Sequence, residues 1–223
     1  MILSKVQLRP SHQASAALAK LNSNGVYASH QLLWRLFPSE TKRRFLYREE
    51  MDKLGHPQFF VLSKNQPIET PLFSIQSKPF APQLAIDDLL AFKLRVNPTI
   101  CPASTSGKKQ RHDVLMHAKY QNRSHARNGE PLNSIMYQAA IDWLANAKRM
   151  AEWGIQLASE PKIIAYNQHQ SKKRNGHKVQ FSSVDIEGLL HIKCPEKFWQ
   201  HYQSGFGRAK SMGCGLMLVR RIV

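Results

Sequence analysis

Polar and apolar residues alternate from the first residue onward. Ile2, Val6 and Leu8 fall against Lys5, Gln7 and Arg9, the period-two pattern of a half-buried strand. Residues 44–48 and 58–62 read as two further strands, with Gly55-His56-Pro57 in their connection. Residues 91–97 make another, ended by Pro98. Pro67, Pro71, Pro79 and Pro82 interrupt the stretch before Asp87, so no second helix is assigned there. Between the first two strands the period changes. Ser29, Leu32, Leu33 and Leu36 repeat at helical spacing, Asn24 or Gly25 starts the helix, and Pro38 stops it by disfavouring helical geometry in the residue before it.

The second half follows a similar order. The order repeats if residues 155–157 begin this half or if its first strand is irregular. Residues 133–153 form the longest helical pattern, with Asn133 as cap, Met136, Ala140, Trp143, Leu144 and Ala147 at helical spacing, and Gly154 as terminator. Residues 163–166 and 179–192 are strands, and Asn175-Gly176 between them is a strong hairpin signal. A helix over 196–203 and a last apolar strand over 214–219 close the chain. Two such halves predict an α+β chain of two tandem ferredoxin-like (RRM-like) domains. The first spans 1–97, the second 132–223, and 98–131 is a basic loop or linker. In that linker Lys108, Lys109, Arg111, Lys119, Arg123 and Arg127 face only Asp113 and Glu130.

Composition narrows the class. Apolar residues are 42% of the 223, with four Trp and ten Phe, so a packed core is available. No apolar run approaches the roughly 20 residues of a membrane span, and the N-terminus has no signal-peptide block. Cys101, Cys194 and Cys214 lack CxxC spacing, which suits free thiols in a reducing cytoplasm better than disulfides or a zinc site. No metal or other cofactor is expected, and no membrane. Charge points elsewhere: 32 Lys and Arg against 15 Asp and Glu give +17. For a soluble chain that balance implies nucleic acid.

Against that background one helix face stands out. Tyr27, His30 and Trp34 fall at i, i+3 and i+7. Residues three apart on a helix hold their Cβ atoms about 5–6 Å apart, so a phenol and an imidazole reach one phosphate. A helix edge covering the rim of a core would place the same residues. The tip of the 168–178 hairpin carries Lys172, Lys173, Arg174 and Lys178 with no acidic neighbour. Near the end, Gly205-Phe206-Gly207-Arg208-Ala209-Lys210-Ser211-Met212-Gly213-Cys214-Gly215 has neither P-loop spacing nor the strand-to-helix setting of a dinucleotide fingerprint. Its glycines would let backbone N–H groups approach a ribose-phosphate chain closely. A tight helix-to-strand turn would use them equally well.

That glycine loop resembles the signature of the RAMP proteins of CRISPR systems. More closely, the chain resembles the CasE-type endoribonucleases that process CRISPR RNA in type I-E systems. The match is carried by the 1–6 opening, Tyr27-x-x-His30 with Trp34-x-Leu36-Phe37-Pro38, the 92–98 strand and the glycine loop. The 67–82 stretch and the 99–131 insert depart from the pattern. The resemblance implies two ferredoxin-like domains, a CRISPR repeat stem-loop as substrate and metal-independent cleavage on the 3′ side of the hairpin. It makes Tyr27 and His30 the catalytic pair, and implies retention of the cleaved CRISPR RNA with other Cascade subunits.

The expected reaction is attack of a 2′-hydroxyl on its own phosphate, leaving a 2′,3′-cyclic phosphate and a 5′-hydroxyl. It needs a base, an acid and positive charge. His30 suits either proton role, and Tyr27 suits a positioning donor or second proton carrier. Arg35, Arg208 or Lys210 could stabilise the phosphorane. The expected RNA-binding residues are Arg35, Lys172, Lys173, Arg174, Lys178, Gly205, Gly207, Arg208, Lys210 and Ser211. The competing class is a non-catalytic RAMP-type RNA-binding subunit. A DNA-binding regulator is weaker, since no helix-turn-helix pattern is present.

Overall fold

The computed structural model describes residues 1–102, 110–123, 132–172 and 176–222, the side chain of residue 172 excepted. The chain falls into two compact units. One comprises Met1–Gln83, Gln168–Phe181 and Tyr202–Met217; the other comprises Leu84–Asn167, Ser182–His201 and Leu218–Val223.

In the first unit, β1 (Ile2–Leu8) leads to α1 (His12–Trp34), then β2 (Phe45–Met51), β3 (Pro57–Ser63) and β4 (Phe73–Pro79). The strands form one antiparallel sheet in the order β2-β3-β1-β4. Pairs such as Val6 with Phe59 and Tyr47 with Val61 put large apolar side chains in register. Val6, Phe45, Tyr47, Phe59, Val61 and Phe73 form one buried cluster with Ala14, Ala17, Leu21, Ala28, Leu32 and Leu33 of α1.

Two expectations need correction here. The helix begins at His12, capped by Ser11, whose Oγ accepts from the Ala14 N–H at 3.1 Å. The expected start at Asn24 or Gly25 is instead a break within it: Gly25 sits at φ 48, ψ −134, a conformation glycine adopts without a Cβ clash. The strand expected to close the first half also changes sheet. Its place beside β1 is taken by β4, inside the proline-rich stretch left without an element. Edge position explains this, because an edge strand tolerates a proline at its end.

The second unit contains β5 (Leu89–Val96), a short pair β6 (Thr99–Ile100) and β7 (His112–Asp113), and α2 (Val114–Gln121). These are followed by α3 (Leu132–Leu144), α4 (Ala147–Trp153) and β8 (Ile155–Leu157). β9 (Lys162–Lys172) and β10 (Lys178–Ile192) make the hairpin, and α5 (Pro195–Ser204) and β11 (Met217–Arg221) end the chain. Both hairpin strands run through residues of both units. The sheet order is β11-β5-β10-β8, with β9 also pairing β10. β5 therefore opens this sheet, pairing Leu94 with Ile186 and Leu90 with Leu190. Counted along the main path of each sheet, with β9 and the β6–β7 pair left aside, both run fourth-first-third-second, the order of tandem ferredoxin-like folds.

Two further expectations differ. The stretch read as a basic loop contains α2, capped by Asp113 accepting from the Met116 N–H at 2.7 Å, with Val114 and Leu115 buried. The single helix expected over 133–153 is two. Asn146 caps α4 by accepting from the Arg149 N–H at 3.2 Å, and such a cap competes with helix continuation. Gly154 ends α4 at φ 68 as expected.

Candidate active site

The site lies in the first unit, on the part of α1 that follows the Gly25 break. Leu32 and Leu33 bury one face of this segment against the sheet. Ser29 shares that face and donates to Glu49 Oε2 of β2 at 2.6 Å, which fixes its rotation. Tyr27, His30 and Trp34 are thereby left half-buried beside the core. Together with Arg35, Ser211 and Met212 they line a cleft of about 940 Å³. No Asp or Glu lines it among the described residues.

His30 is held by aromatic neighbours. Its ring centroid lies 5.6 Å from that of Trp34, edge-on, and 6.4 Å from that of Phe45. Its Nδ1 is buried and has no hydrogen-bond partner among the described residues. Burial, and behind it the positive charge of Arg43, hold the imidazole below its ordinary pKa. The ring is therefore neutral at pH 7, with one nitrogen free to accept a proton.

The glycine loop is attached to this helix through Tyr47. The Tyr47 hydroxyl is shared between the Val26 carbonyl at 3.1 Å and the Ser211 carbonyl at 3.3 Å. Gly213, at φ 79, lies flat on the same ring; a Cβ there would come 3.1 Å from Tyr47 Cε2. Gly205 meets Leu46 in the same way, with a Cβ placed 2.8 Å from Cδ2. These two glycines face protein, and their close packing seats the loop on β2. Lys210 opens a 3₁₀ turn (Lys210–Met212) that touches both α1 and β2. Its Nζ donates to the Ser204 carbonyl at 2.7 Å. Burial first, then the Arg43 charge, lowers its pKa.

Of the residues singled out by sequence, Tyr27, His30, Arg35 and Ser211 share the cleft. Arg35 and Arg208 are exposed, and Gly205 is buried. Gly207, at φ 74, is half-buried in the loop. Lys178 lines a second cleft of about 430 Å³ with Ser23, Asn24, Gln170 and Ser171. Ser23 and Asn24 line both clefts, and Ser171 Oγ donates to the Asn24 carbonyl at 3.0 Å. The Lys172 side chain, Lys173 and Arg174 lie outside the described residues. Arg43 was missed. In sequence it is one of three consecutive cations, Lys42, Arg43 and Arg44, and nothing local separates it from its neighbours.

No three His, Cys, Asp or Glu side chains among the described residues gather as a metal site would require. No described helix is long and apolar enough to cross a membrane.

A family model described as CRISPR associated protein matches residues 1–221. A curated relative, the CRISPR system Cascade subunit CasE of Escherichia coli (strain K12), is 29% identical over 210 residues, covering 90% of this chain and 94% of the relative. Among solved structures, the CRISPR endoribonuclease Cse3 bound to a 19-nt RNA aligns at TM-score 0.73 and 24% identity, over 99% of this chain and 100% of that one. Cas6e from Escherichia coli str. K-12 aligns at TM-score 0.63 and 22% identity, over 100% of both chains. The fold of these proteins is the tandem ferredoxin-like fold read from the element order.

Proposed function

The chain belongs to the CRISPR-associated protein family, whose model spans residues 1–221, and from that premise we propose that it is a CasE-type endoribonuclease acting on CRISPR repeat hairpins. The observation carrying this is one cleft that holds both Tyr27 and His30 and has no acidic lining. His30, neutral because it is buried beside Arg43, takes the proton of the ribose 2′-hydroxyl. The 2′-oxygen then attacks the adjacent phosphorus, and the bond to the 5′-oxygen breaks. Tyr27 gives the leaving 5′-oxygen its proton, or hydrogen-bonds to it while solvent supplies the proton. The products are a 2′,3′-cyclic phosphate and a 5′-hydroxyl.

The lining of the same site supports a metal-independent reaction. A two-metal nuclease clamps its ions with clustered carboxylates, and this cleft offers cations and an imidazole instead. Holding the phosphate in line supplies much of the acceleration. Arg35 at the cleft rim, Arg208 on the glycine loop and Lys178 in the adjoining cleft suit flanking phosphates. The relative's designation as a Cascade subunit supports retention of the cleaved RNA with Cascade partners in the cytoplasm.

A repeat hairpin labelled at its 5′ end and incubated in EDTA tests this. One cut at one site is expected, ending in a cyclic phosphate. It should vanish when the nucleotide 5′ of the cut carries 2′-deoxyribose. Chelator-sensitive cutting, or a 3′-hydroxyl product, overturns the mechanism. Tight binding without cutting returns the non-catalytic subunit.

A further inference from the structure

The arginines of the first unit are not treated alike. Arg9 pairs with Glu69 at 4.0 Å, Arg44 with Glu40 at 3.7 Å, and Arg48 with Glu50. Arg43, adjacent to one of them, makes no ion pair among the described residues. Its Nη1 donates to the Phe45 carbonyl, which points the guanidinium back along the start of β2. Phe45 is the residue whose ring stacks beside His30. A guanidinium carries five N–H donors, so one backbone bond leaves most of the fork unused. Lys210 is in the same condition: half-buried, with a backbone carbonyl as partner and no carboxylate among the described residues. Burial holds both cations below their ordinary pKa, and the charge of Arg43 adds to the effect at Lys210. Half-buried like charges without a counter-charge oppose each other. An anion entering between them and His30 relieves that opposition.

We propose that Arg43, with Lys210 beside it, holds the scissile phosphodiester against His30. The proposal rests on the endoribonuclease reading for the identity of the anion. It assigns the central phosphate contact to a residue other than the exposed Arg35 and Arg208. In the transition state the guanidinium fork lies on the non-bridging oxygens as negative charge builds there, and it can bind two at once. Burial first, and the same cation behind it, hold the His30 pKa down before substrate arrives. Once the phosphate neutralises Arg43, the His30 pKa rises, which favours the proton transfer it has to perform.

The bland alternative makes Arg43 a brace for the Phe45 carbonyl, and two measurements separate the readings. The first follows the His30 imidazole resonance, assigned with H30Q, as sulfate is added; sulfate keeps a constant charge over the titration. In the wild-type protein sulfate should raise the His30 pKa, and in R43Q this response should be lost. The second is single-turnover cleavage of the repeat hairpin. R43Q should cut about 10²–10³-fold more slowly, the effect of removing one transition-state donor, while hairpin affinity changes only a few-fold. A sulfate response unchanged in R43Q, or cleavage at the wild-type rate, overturns the proposal. An Arg43-dependent sulfate response in a protein that never cuts the hairpin supports the anion site and sinks the endoribonuclease reading instead. Should R43Q fail to fold, R43K decides. Lysine keeps the charge without the planar fork, so a wild-type rate and sulfate response in R43K overturn the two-oxygen grip assigned to the guanidinium.

Discussion

Among the described residues, Arg43 and Lys210 in the first unit reach only backbone carbonyls, whereas four cations of the second unit sit on carboxylates. There Arg95 Nε lies 3.0 Å from Asp185, Lys93 2.6 Å from Glu187, Lys193 2.5 Å from Asp87 and Arg221 2.7 Å from Asp88. Two of these pairs fall directly opposite each other in the β5–β10 register, where opposite charges stabilise a sheet. The strand order is shared, so topology does not explain the contrast. What differs is whether the polar groups are satisfied within the protein. Those four cations of the second unit are, and their charges serve the sheet. Arg43 and Lys210 meet no carboxylate among the described residues, and on our proposal their partner is a phosphate. Function resides in the site and not in the fold that carries it.

The strongest way to break this contrast is His30→Gln. Cleavage should fall by about 10²–10⁴-fold, the range of a lost general acid–base group, with hairpin affinity held within a few-fold. Single-turnover rates beside a binding isotherm measure both. A cutting mutant would return His30 to the status of a core histidine.

Next come two glycines, one in each unit. Gly213→Ala places a Cβ against Tyr47, and Gly154→Ala places one 2.5 Å from the Cys194 carbonyl oxygen, both at positive φ. Each should lower stability by about 1–3 kcal/mol from backbone strain, read by denaturant unfolding. Below the melting transition only Gly213→Ala should also slow cleavage, because Tyr47 ties the Ser211 carbonyl to α1. Equal losses of activity in both variants would erase the distinction between the units.

A smaller effect is the pH dependence of stability. The His30 pKa is lowered in the folded protein, first by burial and then by Arg43. Below the unfolded value near 6.5 the unfolded chain binds the extra proton and the folded chain resists it. Stability should therefore fall as pH drops from about 6.5 toward the lowered folded value, by at most about 1.4 kcal/mol per pH unit. His30→Gln should remove that slope, as urea midpoints across the range would show. A slope unchanged in the variant would place the titrating group elsewhere.

The least effect is expected from the second sheet's exposed pair. Glu187→Gln leaves Lys93 without its carboxylate, but the two side chains are 37% and 55% exposed. The change in unfolding free energy should stay below about 1 kcal/mol, with cleavage unaltered. A larger loss would mean that pairing on this face matters more than its exposure suggests.

Sequence alone sufficed wherever the cause was local. The i, i+3 spacing of Tyr27 and His30 needs only one helix to become geometry, and both do line one cleft. Alternation located β1, β2, β3, β9 and β10, and Gly154 ended its helix as read. Net charge pointed to a polyanion partner. Tertiary structure decided which strand pairs with which. Residues 73–79 and 89–96 both alternate, and only long-range hydrogen bonding sends one to β1 and the other to β10. It also decided between Arg43 and Arg44, identical side chains one residue apart, since one meets Glu40 and the other turns toward Phe45, beside His30. Backbone periodicity is a property of the segment, and so it can be read from the segment. Desolvation and the absence of a counter-charge are set by the other side chains that fold around a residue, and these come from distant parts of the chain.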